Sequence, residues 1–143
     1  MDFLDVNVLV NAWRPDSARH EKFARYLQSL VNGVEAFAIP LLSVSGLLRI
    51  VTHPRIFDPP DPIEDVLKFV DQLRSLPHCI FVQPGDRHWG IFTDLCRKGN
   101  ACGNLVSDAY LAAMAIELGA DLVSEDRGMA RWPGLKWRRP VDV

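Results

Sequence analysis

The stretch Asn104 to Asp126, NLVSDAYLAAMAIELGADLVSED, limits the fold more than any other part of this chain. From Leu105 to Leu118 nearly every residue suits a helix, Gly119 supplies its stop, and Asn104 or Ser107 is placed to cap its first turn. Ala120-Asp121-Leu122-Val123-Ser124 follows at once as a short buried strand. A helix that runs straight into an apolar strand belongs to an alternating α/β chain, and the rest of the sequence keeps that alternation.

Asp2 to Val10 fills with apolar residues and suits a first buried strand leading into a turn or short helix. Pro15-Asp16-Ser17 opens a helix in which Phe23, Leu27 and Leu30 recur at helical spacing, with His20 and Tyr26 along the same side. Val34 to Ile39 reads as a second strand stopped by Pro40, and Leu41 to Val51 as a second helix. In Asp61-Pro62-Ile63-Glu64 an N-cap, a proline at the first helical position and an acid at the third begin a helix striped by Ile63, Val66, Val70 and Leu73. Cys79 to Val82 is a third strand, Asp86 to Lys98 a fourth helix, and Leu135 to Arg138 an edge strand. The expected architecture is a three-layer α/β/α sandwich with a mostly parallel central sheet. With 143 residues, 48% of them hydrophobic, and no linker-like tract, residues 1–143 read as one domain.

Composition removes several classes of function. No run approaches the roughly 18 apolar residues that span a membrane, and MDFLDVNVLVN carries acids where a signal peptide needs positive charge, so a cytoplasmic protein is expected. Cys79, Cys96 and Cys102 are odd in number and lack a C-x-x-C spacing, which argues against a disulfide framework and an ordinary zinc site. A net charge of −2 excludes a generally basic nucleic-acid coat while leaving room for a local patch.

The acids then carry the chemistry. At about 100° per residue Asp108 shares a helical face with Leu111, Ala112 and Ala115, whereas Glu117 points to the opposite, solvated side. A carboxylate on a packed face needs a cap, an ion pair or a cation. The plain alternative is that Asp108 satisfies the first turn of its own helix. Asp5 interrupts an apolar run, and Glu125 and Asp126 sit just past the carboxyl end of the strand after the helix, the edge at which open α/β sheets bind ligands. Asp5 and Asp126 meet there only if their strands are neighbours, with Asp108 reaching over from the helix. Three such carboxylates repel unless they are protonated or a divalent cation neutralises them; a cation is the better solution, and an all-oxygen set favours Mg²⁺ or Mn²⁺, a centre suited to phosphodiester hydrolysis.

Four segments, Asp5-Val6-Asn7-Val8-Leu9, Leu47-Leu48-Arg49-Ile50-Val51-Thr52-His53-Pro54-Arg55, Ser107-Asp108-Ala109-Tyr110-Leu111-Ala112-Ala113 and Leu122-Val123-Ser124-Glu125-Asp126-Arg127, resemble the PIN-domain nucleases, and more narrowly the VapC toxins of bacterial toxin–antitoxin pairs. The resemblance runs in order over nearly the whole chain. It implies an endoribonuclease that cuts structured RNA such as tRNA or rRNA with Mg²⁺ or Mn²⁺, is silenced by a small VapB-like antitoxin, and forms a homodimer. It implies Asp5 and Asp108 as main metal ligands and Asp126 as a third acid acting directly or through water. Asn7 would orient Asp5, Ser124 would line the same edge, and Glu125 is an additional acid with either orientation open. Two positions depart from the pattern: the glutamate ahead of Leu-Leu-Arg is replaced by Gly46, and the commonly acidic position two residues after Asp126 by Gly128.

Substrate contacts are expected among Arg14, Arg127, Arg131 and Arg138, because Arg127 to Arg139 holds no acid and interleaves Trp132 and Trp137 with its cations. The competing reading is a solvated terminal segment with core tryptophans. His20, His53, His78 and His88 are not spaced as metal pairs and read as structural. A phosphatase that uses Asp5 as nucleophile lacks the second acid of a D-x-D pair, since Val6-Asn7 follows. A binding module with the fold but weakened turnover is the remaining alternative, and Gly46 is its support.

Overall fold

A computed structural model describes residues 1–140. Its five strands are β1 (Asp2–Leu4), β2 (Phe37–Pro40), β3 (Cys79–Val82), β4 (Asp121–Val123) and β5 (Trp137–Arg138). They form one sheet in the order β3-β2-β1-β4-β5, with every neighbouring pair parallel. The helices are α1 (Val6–Trp13), α2 (His20–Asn32), α3 (Leu41–Val51), α4 (Ile63–Arg74), α5 (His88–Lys98) and α6 (Asn104–Leu118), and a 3-10 turn covers Arg127–Arg131. The expected sandwich is present, and its sheet is parallel throughout.

Alternation along the strands divides the core into two layers. Leu4, Phe37, Ile39 and Val123 point to the side covered by α1 to α4, where Val8, Phe23, Tyr26, Leu47 and Val66 are buried against them. Phe3, Ala38 and Leu122 point to the other side, under α5 and α6, with Leu95, Ala109, Ala112, Met114 and Trp132. The alanines Ala109, Ala112, Ala113 and Ala115 are all fully buried, so α6 packs through short side chains and its carboxylate stays near the strand ends. Gly119 closes α6 at φ 70°, a left-handed conformation that suits a residue without Cβ.

Several expected boundaries move, each for a local reason. The first strand is only Asp2–Leu4, because Asp5 caps a helix that takes Val6 to Trp13 and buries Val8 and Leu9; packing outweighs the strand preference of the valines. The second strand begins at Phe37, and Pro40 is its last residue. Asp61 does not cap α4: its Oδ2 accepts from Trp13 Nε1 at 2.9 Å and from Arg14 at 3.0 Å, tying the loop before α4 to the end of α1. Neither Asn104 nor Ser107 caps α6, whose N-cap is Gly103. Glu117 accepts from the backbone N–H groups of Gly85 and Arg87 at 2.7 and 2.8 Å, pinning the β3–α5 connection instead of lying free in solvent, and these bonds hold its carboxyl below the usual range despite some desolvation.

Candidate active site

The site forms where β1 and β4 lie side by side. Registering Leu4 against Val123 brings Asp5 and Ser124 to the same carboxyl edge, with Asp5 N–H donating to Val123 O at 3.1 Å. Asp5 is 8% exposed. Its Oδ1 accepts from Val6 N–H at 2.7 Å, and its Oδ2 accepts from Ser124 Oγ at 2.6 Å and from Asn7 Nδ2 at 3.1 Å. Ser124, fully buried, accepts in turn from Asn7 Nδ2 at 2.9 Å and from Asp126 N–H at 3.0 Å. One donor and two acceptor sites are all a hydroxyl has, so the direction of its proton toward Asp5 is fixed by the network. Asn7 Oδ1 accepts from Glu125 N–H at 3.1 Å, which fixes the amide orientation that presents Nδ2 to Asp5. Asn7 and Ser124 therefore both hold Asp5, Ser124 by a direct hydrogen bond beyond the edge-lining place expected of it.

Asp126 caps the 3-10 turn, its Oδ1 accepting from Gly128 N–H at 2.8 Å. A Cβ at position 128 would lie 3.0 Å from that oxygen, which explains a glycine there: the turn folds the backbone tightly onto Asp126. Asp108, in the second turn of α6, makes no hydrogen bond or ion pair among the described residues, so it does not satisfy its own helix start. It lines a groove of about 300 Å³ together with Asp5, Val6, Ser43, Ser45, Gly46, Arg49 and Ser107.

The acids act on one another. Desolvation is the main reason that the Asp5 carboxyl is pushed above the usual value; the bonds from Ser124, Val6 and Asn7 oppose it, and the charge of Asp126 adds to it. Asp108 is pushed up by desolvation, then by Asp126 and Asp5, with Arg131 pulling the other way. The two raised carboxyls thus share a third negative neighbour, Asp126.

Glu125 turns away from this centre into a cluster with Arg19 and Arg139, which hold its carboxyl below the usual value against its desolvation. Arg14 and Arg138, expected as RNA contacts, are committed to the fold. Arg14 is buried, pairs with Asp16 and Asp61 at 2.7 and 3.0 Å, and lies over the Phe57 ring. Arg138 pairs with Asp2, which also accepts from Tyr26. Trp132 is buried and Trp137 donates from Nε1 to Ser124 O at 3.0 Å, so the tryptophans of this segment are core. Arg127 and Arg131 are exposed beside the site, Arg131 over the Trp132 ring. Each histidine is satisfied by backbone, as expected: His20, His78 and His88 bond to the carbonyls of Asn11, Leu30 and Tyr110, and His53 accepts from Arg55 N–H. The cysteines are free, and burial pushes the Cys79 thiol up to about 11.

The sequence reading did not single out the α3 wall of the groove as a surface. Its signal was present: Leu42, Ser45, Gly46 and Arg49 recur at helical spacing and all line the groove. Ser43 joins this wall to the site, donating from Oγ to Leu4 O at 3.0 Å, one residue before Asp5.

A parallel sheet in this order, with acids from β1, β4 and the intervening helix gathered at one edge, defines a PIN domain, and the chain belongs to that family, whose model matches residues 3–135. Within the family its relatives are VapC ribonucleases. It is 40% identical over 139 residues to Ribonuclease VapC43 of Mycobacterium tuberculosis, covering 97% of this chain and 95% of that one. It is 36% identical over 140 residues to Ribonuclease VapC25 of the same organism, covering 98% and 99%. Among solved structures it is similar in fold to VapBC2 from Rickettsia felis bound to a promoter DNA fragment, with a TM-score of 0.70 at 20% identity, covering 96% of this chain and 97% of that one. Mycobacterium tuberculosis VapC20, described as a sarcin-ricin loop cleaving toxin, gives 0.61 at 13% identity, covering 95% and 99%.

Proposed function

We propose that this protein is the toxin of a toxin–antitoxin pair and a divalent-metal-dependent endoribonuclease. The observation that carries the reading is that Asp5, Asp108 and Asp126 lie close enough for their charges to raise Asp5 and Asp108, and that Asp108 makes no hydrogen bond or ion pair among the described residues. The similarity to VapC ribonucleases supports the activity.

The donor set suits Mg²⁺ or Mn²⁺: hard carboxylate oxygens on a groove open to water. No group of three or more His, Cys, Asp or Glu side chains among the described residues is arranged to hold an ion; by the family resemblance Asp5 and Asp108 would be the principal ligands, Asp126 would act directly or through water, and water would complete the shell. When bound, such a cation holds a phosphate oxygen, lowers the pKa of a bound water and stabilises the leaving oxygen. The chain's own contribution is orientation: Ser124 and Asn7 fix Oδ2 of Asp5, Val6 N–H fixes Oδ1, and Asp108 faces them across the groove.

Regulation by a VapB-like antitoxin is supported by the VapBC assemblies among the similar folds. An apolar groove between α2 and α4, lined by Ala24, Leu27, Val31, Phe69 and Leu76, provides a seat for an antitoxin helix near the first helices. A cationic antitoxin side chain at Asp108 would occupy the place of metal or RNA.

The test is cleavage of total cellular RNA by purified, antitoxin-free protein with Mg²⁺, with Mn²⁺ and with chelator, beside Asp108→Asn. Discrete metal-dependent cuts lost in the variant are expected. Folded protein that makes no cuts with either metal would favour a binding module, a reading supported by Gly46: a Cβ there would stand 3.0 Å from Val6 Cγ2, so this position brings no carboxylate to the groove and its neighbour fills the space.

A further inference from the structure

We propose that Arg49 is a phosphate-binding residue on the α3 wall of the groove, holding an RNA phosphate next to the one that is cut. The inference rests on the nuclease reading and names its substrate contact. Leu42, Ser45, Gly46 and Arg49 form one stripe of α3, and Ser107, Asp108 and Leu111 form the facing wall on α6. The α3 wall carries no acid; it offers the Ser45 hydroxyl, the bare backbone of Gly46 and, one turn on, a guanidinium.

Arg49 is exposed and, among the described residues, makes no hydrogen bond or ion pair, although the groove it lines holds two aspartates. That contrasts with Arg14, Arg19 and Arg138, each of which is paired with a carboxylate. Nor is Arg49 among the charges that shift Asp5 or Asp108, so it leaves the acids available to a cation. A guanidinium set along the groove from an acidic centre fits a polyanion whose successive phosphates meet metal and arginine in turn, with the planar fork taking two phosphate oxygens. Gly46 keeps the floor between them low, since any side chain there would rise beside Val6.

The experiment measures binding of fluorescently labelled total tRNA to the purified protein in chelator, where no cutting occurs, across a salt series, and then steady-state cleavage with Mn²⁺. Arg49→Ala is expected to weaken binding about tenfold and to reduce the slope of log Kd against log salt by about 0.7–0.9. It is also expected to raise KM with little change in kcat, with Arg49→Lys intermediate. Arg74→Ala, on α4 and away from the groove, removes the same charge and controls for the overall field. Wild-type protein that neither binds nor cuts RNA would sink the nuclease reading and this proposal with it. Normal wild-type activity matched by Arg49→Ala in Kd, slope and KM would sink this proposal alone, as would an equal loss in Arg74→Ala.

Discussion

Replacing Ser124 by alanine removes one buried oxygen that serves three groups: it donates to Asp5 Oδ2 and accepts from Asn7 Nδ2 and Asp126 N–H. The methyl group keeps the strand packing, so the loss is almost wholly polar. A hydrogen bond to a charged partner contributes about 1.5–3 kcal/mol and a neutral one about 0.5–1.5. With Asp5 ionised the variant should lose about 2–4 kcal/mol, and with Asp5 protonated about 1 kcal/mol less. The sign with pH follows from the direction of the Asp5 shift. Its folded carboxyl titrates above the ordinary value of 3.8, so the folded state holds the proton more tightly than the unfolded state. Ionisation of Asp5 therefore destabilises the metal-free protein increasingly as pH rises from 3.8 through the raised value, and the penalty is absent below 3.8. Because the Ser124 bond holds that pKa down, its loss raises it further and widens the window. Urea unfolding of both proteins in chelator, stepped from about pH 7 toward 4, should show a gap in stability that narrows with acid. A gap that stays constant with pH would mean that the hydroxyl supports packing alone, and the account of how Asp5 is held would be wrong.

Asp108→Asn should make metal-free protein modestly more stable near neutral pH, because desolvation and the charges of Asp126 and Asp5 raise the native carboxyl, while abolishing the thermal stabilisation by Mn²⁺ expected of the wild type; a variant less stable than wild type in chelator would contradict this. Gly46→Glu should bind Mn²⁺ more tightly in calorimetry yet lower stability by about 1 kcal/mol through overpacking against Val6, and Val6→Ala should restore the latter; unchanged metal affinity would count against Gly46 facing the centre. Arg14→Ala should lower stability by about 2 kcal/mol, seen as an earlier urea midpoint, with tRNA affinity of the folded protein unchanged; weakened affinity would return Arg14 to the substrate surface. Glu117→Gln should weaken protection from hydrogen exchange at Gly85 and Arg87, and in the wild type that protection should fade as pH drops below 4.5, since a lowered carboxyl contributes its stability above that value; pH-independent protection would refute it.

The fold was legible because hydrophobic periodicity and Gly/Pro punctuation record it: Leu41 to Val51 and Cys79 to Val82 are found with the expected bounds. The short first strand was not, because strand preference in Val6, Val8 and Val10 reflects side-chain shape and gives way once Asp5 supplies a cap. Asp5 and Asp108 stood out as costly charges on apolar stretches, and Asp126 by its place just past a strand's carboxyl end; both are local properties. The roles of Arg14 and Arg138 were not, because their partners Asp61 and Asp2 lie 47 and 136 residues away in the chain. The same limit hid the α3 wall, which becomes a surface only when α6 lies opposite.

Asp5 is at once the cap of α1 and the most buried acid of the site, whereas Asp108 makes no hydrogen bond or ion pair among the described residues. The two positions therefore give different kinds of inactive protein. A cell that survives carrying Asp5→Ala has lost chemistry, or has lost folded protein to proteolysis as the first helix frays. A cell that survives carrying Asp108→Asn holds a protein whose fold is kept and whose acidic centre has lost one charge. Genetic experiments that need a folded but silent form should be built on position 108.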